Sequence, residues 1–321
     1  MSMLITGGTG FIGAEIVSQL LNEGADHAIH VAHRRGNFER IKDLIDQVTL
    51  HQLDLSDAEA IGELVDETRP DVIFHFGAVL TGPGQANPQA AVEANAIGTY
   101  ALLEAARLAD VHQIVFASSI GTYGSDIRTP VIDDETIQRP ITVYGVTKVF
   151  GEHLGAFYQR KYGLDFRGLR YPSIIGPGVT TPSVVQYTSW VIEESAKGKP
   201  FTITVRPDFA VPVMYYKDAA RAAIRLSRAQ QENLVTSTYL VDGHRPTPTA
   251  AQLAESVRAQ LPEAQIDFAP DPEVQSMLDE AVRPIDDSRA RAEWAWTPKY
   301  DLDTLVADFL AEMDAHPERY S

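Results

Sequence analysis

Tyr144 and Lys148 bracket the run Tyr144-Gly145-Val146-Thr147-Lys148. On a helix, side chains four residues apart share one face. An ammonium beside a phenol favours the phenolate, so the pair is expected to draw the tyrosine pKa from about 10 toward working pH. A tyrosine so tuned takes the proton of a substrate hydroxyl as a general base. The substrate oxygen needs a second partner, and Ser118-Ser119 supplies hydroxyls at the end of an apolar run. Ser119, four residues before Tyr123, is the candidate chosen of the two. Asn95 lies inside an apolar helical segment, where its short amide competes with the backbone, so a buried polar task is expected of it. Tyr-x-x-x-Lys occurs by chance in many helices, so the surrounding elements must carry the argument.

Those elements alternate. Apolar runs at 3–6, 28–32, 48–53, 72–76, 113–118 and 166–171 read as strands, and helical patterns begin near Ile12, Phe38, Ala58, Gln89 and Thr142. The repeated strand–helix order predicts an α/β fold with a doubly wound parallel sheet, covered on both faces. Tyr144 then falls on the helix that follows the fifth strand, and Ser119 at that strand's carboxyl end, where open α/β sheets bind ligands. Beyond Pro172 the pattern loosens. Turns are expected at 176–178 and 180–182, helices at 184–196, 218–229, 249–260 and from Leu302, and extended runs at 201–205 and 238–241, with a Pro- and Asp-rich loop before the last helix. This interleaving predicts two units: 1–175 with 212–236 as a dinucleotide-binding domain, and 176–211 with 237–321 as a smaller, discontinuous C-terminal substrate lobe.

Dinucleotide binding is read from Gly7-Gly8-Thr9-Gly10-Phe11-Ile12-Gly13, which joins the first strand to the first helix. Gly7 or Gly8, with Gly10 and Gly13, permits a tight turn and close approach of a pyrophosphate to the helix N-terminus. A glycine-rich turn alone is unspecific, but its place between strand and helix gives it meaning. At the end of the second strand, where an acid would bind the ribose of NAD, stand His33, Arg34 and Arg35. Arginine forms charge-assisted bonds to phosphate, so NADP is expected to be favoured over NAD. The alternative is a pair of solvated arginines. Asp54, after the third strand, either bonds the adenine amine or partners Ser56 at a helix start.

Composition narrows the partners. Net charge is −17, so nucleic acid is not expected as a ligand. There is no cysteine, which excludes disulfides and thiolate metal sites. No histidine or carboxylate spacing suits a metal, and none is expected; His51, His75 and His112 read as structural. The first strand begins at once, leaving no room for a signal peptide, and no apolar run reaches membrane-spanning length, so a cytoplasmic protein is expected.

Gly7–Gly13, Phe76-Gly77-Ala78, Asn95 with Gly98-Thr99, Ser118-Ser119 through Tyr123-Gly124, and Tyr144 with Lys148 together resemble the extended short-chain dehydrogenase/reductases, the NAD-dependent epimerase/dehydratase family. The resemblance implies a Rossmann-type fold, hydride transfer to nicotinamide, Lys148 on the nicotinamide ribose, and the Tyr171-Pro172 backbone near the carboxamide. It implies further cofactor contacts from Leu55, Phe76, Gly77, Ala78, Asn95 and Ile174. It also implies a homodimer, with helices at 89–109 and 142–162 forming a four-helix bundle through apolar faces that include Ala101, Leu102, Ala105, Val149, Phe150, Leu154 and Phe157.

Within the family, Arg170-Tyr171-Pro172-Ser173 lacks the asparagine of the nucleotide-sugar epimerases, and Val211 stands where they carry an arginine. Leu169-Arg170-Tyr171-Pro172, Thr180-Thr181, Arg206-Pro207-Asp208 and Ile285-Asp286-Asp287-Ser288 with Trp294-Ala295-Trp296 look like the short-chain L-threonine dehydrogenase branch. That implies substrate contacts from Val79, Ser119, Tyr144, Thr180 and Thr181. The branch's usual Gly-Gly-Gly-Thr-Thr-Asp run is here Pro177-Gly178-Val179-Thr180-Thr181-Pro182. The expected function is therefore hydride exchange between the nicotinamide and a secondary alcohol of a small polar substrate, of hydroxy-acid or β-hydroxy amino acid type. A sugar or nucleotide-sugar epimerase or dehydratase with tightly bound cofactor is the alternative. Arg206 and Arg283 read as ordinary ion-pair residues.

Overall fold

The computed structural model describes residues 1–24, 27–181 and 183–320. In chain order the strands are β1 (Ser2–Thr6), β2 (Ala28–His33), β3 (Thr49–Gln52), β4 (Val72–His75), β5 (Gln113–Ser119), β6 (Asp165–Tyr171), β7 (Ser173–Ile175), β8 (Phe201–Ile203), β9 (Val213–Tyr215), β10 (Thr238–Leu240) and β11 (Ile266–Phe268). The helices are α1 (Phe11–Asn22), α2 (Ala58–Thr68), α3 (Thr81–Ala86), α4 (Pro88–Ala91), α5 (Gly98–Leu108), α6 (Val143–Tyr162), α7 (Tyr187–Ala196), α8 (Tyr216–Ser227), α9 (Ala250–Gln260), α10 (Pro272–Ala281), α11 (Ser288–Trp294), α12 (Leu302–Ala315) and α13 (Pro317–Tyr320). Seven strands form one parallel sheet in the order β10-β6-β5-β4-β1-β2-β3. The order reverses between β1 and β4, the switch point at which such sheets open a ligand crevice.

Alternation along the strands builds two apolar layers. Met3 and Ile5 of β1, with Val115 and Leu169, pack toward α1 and α8. Leu4, Ile114, Phe116 and Phe166 face α2, α5 and α6. α6 rides directly on this second face: a Cβ at Gly151 would lie 2.6 Å from the Phe116 ring, and one at Gly155 2.3 Å from the Phe166 ring. A third apolar cluster joins Ile175, Val191, Ile203, Val213, Leu253 and Phe309, and the short pairs β7·β9 and β8·β11 belong to it. Among the described residues no helix is long and apolar enough to cross a membrane.

Three sequence expectations are corrected. The run near 238–241, placed in the lobe, is the edge strand of the central sheet, because β10 pairs with β6. Trp294 and Trp296 go with it, packed on Tyr239 and the β1 layer. The Pro- and Asp-rich stretch is not all loop: Asp271 accepts from Glu273 N and Val274 N, and Pro272 opens α10 at a position where no N–H is needed. The helix near Phe38 is a 3-10 helix, Glu39–Gln47. The rest of the expected parallel order stands. Pro182, in the turn expected at 180–182, lies outside the described residues.

Candidate active site

The glycine run sits at the carboxyl end of β1. Gly7 adopts φ +68°, and a Cβ there would stand 2.7 Å from Gly77 N, so the loops after β1 and β4 touch. A Cβ at Gly13 would fall 2.2 Å from Gly7 O. Side chains at these positions would fill the cradle. α1 starts at Gly10 with no side-chain cap and no acid in its first turn, leaving its N-terminal donors and dipole to an anion. The residues present therefore fit a dinucleotide pyrophosphate. Phe11 turns its ring away to stack on Tyr216 at 5.4 Å, and the Arg40 guanidinium lies 5.0 Å over that ring. Arg40 also donates to Pro177 O and Gly178 O, both at 2.9 Å, which ties the turn after β7 to the glycine loop.

At the end of β2, His33 Nδ1 donates to Arg35 O at 3.2 Å, and its ring meets Phe38 edge-on at 4.8 Å. Arg34 and Arg35 are exposed, and among the described residues neither is in an ion pair. Asp54 shows the second of its two expected roles: Oδ1 accepts from Ser56 N at 3.0 Å and Ser56 Oγ at 2.8 Å. These bonds, with help from the nearby Arg34 charge, hold its carboxyl below the usual range. Asp57, not Asp54, caps α2. Leu55 packs against Gly77 and Gly98.

Behind the loops runs a buried hydrogen-bond chain that the sequence did not reveal. Gly77 N donates to Thr6 Oγ1 at 3.2 Å, and Thr6 Oγ1 stands 2.7 Å from His75 Nδ1. His75 Nε2 stands 3.1 Å from Thr99 Oγ1, which donates to Asn95 O at 2.5 Å. Because the Thr99 hydroxyl donates onward, His75 must donate to it through Nε2 and accept from Thr6 through Nδ1. That requires a neutral ring, and burial, aided by the Lys148 charge, pushes the His75 pKa down to about 3. The only sequence signal was a polar residue within each of two apolar runs.

Asn95 occupies a π-helical turn, Val92–Ile97, between α4 and α5. Its Oδ1 accepts from Val79 N at 2.7 Å, and its Nδ2 donates to Val79 O at 2.8 Å and Thr147 Oγ1 at 3.3 Å. The buried polar task is real, but it is directed at the protein: Asn95, expected among the cofactor contacts, has its amide turned onto the Val79 peptide and α6. It fixes the Phe76-Gly77-Ala78-Val79 loop to the helix of Tyr144.

Thr142 caps α6 by accepting from Gly145 N at 3.0 Å, an interaction typically worth ~1 kcal/mol. The cap, two residues before Tyr144, fixes where the helix begins. Ser118 and Ser119 diverge as alternation demands. The Ser118 hydroxyl donates to buried Glu152, whereas Ser119 Oγ accepts from Gly121 N at 3.0 Å and shares the space over Gly121 with the Tyr144 ring. Ser119, Tyr144 and Lys148 thus meet at the ends of β5 and α6.

The expected phenol tuning is not what this arrangement produces. Burial pushes the Tyr144 pKa up to about 12, against the lowering effect of Ser119, and pushes the Lys148 pKa down to about 8, against the charge of Glu152. Lys148 Nζ lies 5.4 Å from the centre of the Tyr144 ring and 4.8 Å from that of Phe116. Desolvation dominates both groups.

Tyr171 points into the core, its hydroxyl donating to Ala219 O at 2.8 Å, which leaves the backbone of Tyr171-Pro172 at the end of β6. Ile174 packs between the α1 layer and the third cluster. Thr180 is exposed and Thr181 half-buried, and neither hydrogen-bonds Ser119, Tyr144 or Lys148. Arg206 pairs with Asp279 at 2.7 Å and Arg283 donates to Asp279 O and Val282 O, so both are held locally. Among the described residues no group of histidines and carboxylates could hold a metal ion.

Comparison with known proteins agrees with this geometry. The family model described as NAD dependent epimerase/dehydratase matches residues 3–241. The mitochondrial L-threonine 3-dehydrogenase of Bos taurus is 33% identical over 313 residues, spanning 96% of this chain and 81% of its own. An uncharacterized epimerase/dehydratase of Staphylococcus haemolyticus is 32% identical over 94% of this chain and 93% of its own. The solved structure of the L-threonine dehydrogenase from Clostridium difficile superposes with a TM-score of 0.88 at 27% identity, covering 100% of this chain and 99% of that one. With the model matching most of the chain, this protein belongs to the NAD-dependent epimerase/dehydratase family and is an NAD-dependent oxidoreductase of the extended short-chain dehydrogenase/reductase type.

Proposed function

We propose that this chain is a dehydrogenase that oxidises a secondary hydroxyl on a small polar substrate, of hydroxy-acid or β-hydroxy amino acid type, and releases its reduced cofactor. The observation that carries this reading is the meeting of Ser119, Tyr144 and Lys148 at the carboxyl end of the sheet that also bears the glycine cradle. The bound dinucleotide would supply the hydride acceptor. Gly7, Gly10, Phe11, Ile12 and Gly13 would hold its pyrophosphate, Lys148 its nicotinamide ribose, and the loops at Leu55, Phe76–Val79 and Tyr171–Ile174 its remaining surface. Ser119 holds the substrate oxygen by its hydroxyl. Tyr144 takes the hydroxyl proton, and Lys148 on the same helix face stabilises the phenolate left by its loss. Thr180 and Thr181 closely follow the turn that Arg40 ties to the glycine loop, which supports a role over the substrate. Residues 176–211, with 250–282 and 300–320, form the lobe in this reading.

The purified protein should accumulate reduced nicotinamide in proportion to substrate when β-hydroxy amino acids, hydroxy acids and sugars are screened with NAD and NADP. Interconversion of sugar epimers with no net reduction would overturn the reading in favour of an epimerase.

We also propose a homodimer, with a corrected surface. Leu102 is buried against the chain's own sheet, and Ala101 nearly so, and neither is free to pair. The outward apolar row is instead Val92, Ile97 and Tyr100 beside Val146, Phe150 and Phe157. An unpartnered row of this kind favours closure by a second copy. Light scattering at micromolar concentration is expected to give twice the chain mass, and Phe150→Glu/Phe157→Glu to give the monomer. A wild-type monomer would remove the proposal.

A further inference from the structure

Glu152 is an acidic side chain that the proposed chemistry does not use, although it lies one helical turn beyond Lys148 on the same face. It is buried, as is its counter-ion Arg170. Arg170 Nε donates to both carboxylate oxygens at 3.1 Å, and a terminal nitrogen reaches Oε2 at 2.8 Å. Ser118 of β5 donates to Oε1, and Gln138 donates to Oε2 at 2.9 Å. Arg170 in turn donates to the Tyr123 hydroxyl at 3.1 Å. The elements that bear the reacting groups therefore each send an arm to this carboxylate. Ser118 precedes Ser119, Arg170 precedes Tyr171, Lys148 shares the helix, and Tyr123 and Gln138 belong to the segment leading to Tyr144.

Buried ion pairs contribute little net stability, because desolvation offsets their attraction. A leucine–methionine pair would fill this space as well, so the charge calls for another reason. We propose that Glu152, with Arg170 as its counter-ion, is a positioning residue that sets the local charge in which Tyr144 and Lys148 work and holds β5, β6 and α6 in register around them. This inference rests on the reading of Tyr144 as the proton acceptor.

The charged and titratable groups around the pair can be named. Arg170 faces Glu152 from β6 and Lys148 from its own helix; Asp134, which accepts from Leu240 N at 2.7 Å, acts on Arg170. Tyr123 meets Arg170 from the preceding loop, and His75 of β4, held neutral, lies near Lys148. Glu152 opposes the fall in the Lys148 pKa that burial causes. Removing the carboxylate leaves the Arg170 cation uncompensated. That favours loss of the proton from both Tyr144 and Lys148, so the pH at which alcohol oxidation switches on must fall. Removing Arg170 leaves the anion and must raise it. An uncompensated unit charge about 10 Å away, at an effective dielectric constant near 20, gives a shift of about 1 pH unit.

The test is the pH profile of kcat for alcohol oxidation in Glu152→Gln, Arg170→Gln and the double variant, with thermal midpoints measured alongside. The acid limb is expected to move down in the first, up in the second, and back near wild type in the third. Gln138→Lys provides a version that leaves the buried pair intact: Gln138 is half-buried, and the lysine keeps a donor to Glu152 while adding a positive charge. Its acid limb should also move down. Lowered thermal midpoints with superposable profiles would show a purely structural pair and overturn the inference, and an unmoved limb in Gln138→Lys does so even where the single variants do not fold. If the residual activity of Tyr144→Phe keeps the wild-type acid limb, the Tyr144 reading fails instead, which separates the two.

Discussion

Tyr144→Phe is expected to lower turnover by ~10²–10⁴-fold, the usual contribution of a general acid–base group, while leaving cofactor affinity within about twofold. The substitution removes one hydroxyl and keeps the ring. That ring packs beside Gly121 and under Lys148, so the start of α6 and the Thr142 cap have no reason to move. What disappears is the hydroxyl beside Ser119 that would accept the substrate proton. Loss of the phenol also leaves Lys148 without the phenolate it would stabilise. Single-turnover absorbance and a separate cofactor titration measure the two quantities independently. Activity within a few-fold of wild type would remove Tyr144 from the mechanism. A matched loss of cofactor affinity would show that the helix start had shifted, and the same titration would reveal it.

The half of the chain that bears this chemistry was legible because its signals are local and repeated. The first six strands are apolar runs set between helical periods, and Gly7–Gly13 falls at a strand–helix junction where glycine is needed for contact with another loop. Ser119 could be preferred over Ser118 on position alone, and alternation along β5 then sends the two hydroxyls to different partners. The later part was less legible. β7, β9 and β11 are only three residues long, too short for a period to declare itself. α10 was hidden in a stretch whose proline and aspartate suggested a loop, although Asp271-Pro272 is a helix start. The chain through Thr6, His75 and Thr99 could not be read, because its members are 69 and 24 residues apart and meet only once β1, β4 and α5 are packed. Ala101 and Leu102 were assigned to the wrong neighbour for a related reason. A helix apolar on two sides does not say which side faces its own sheet.

NADP is expected to bind more tightly than NAD, by about 10- to 150-fold, the affinity equivalent of one charge-assisted hydrogen bond of roughly 1.5–3 kcal/mol. The end of β2 carries no carboxylate. An acid there would accept from both ribose hydroxyls and repel a 2′-phosphate, whereas His33 donates to Arg35 O and does neither. Three guanidinium groups lie in this part of the chain. Arg40 is committed to the carbonyls of Pro177 and Gly178, which leaves Arg34 and Arg35, exposed and in no ion pair among the described residues. Arg34 is near enough to Asp54, after the neighbouring strand β3, for its charge to be felt there, which is consistent with a reach toward the adenosine ribose. The relevant comparison is the ratio of NADP to NAD affinity, titrated at low salt in wild type and in Arg34→Ala/Arg35→Ala. The ratio should fall toward one in the double variant through weaker NADP binding, with NAD affinity little changed. High salt should weaken NADP more than NAD in wild type, since the contribution of an exposed guanidinium is screened. A wild-type preference for NAD, or an NADP affinity untouched by the double substitution, would mean that the two arginines face only solvent, and His33 would then have to hold the ribose hydroxyls itself.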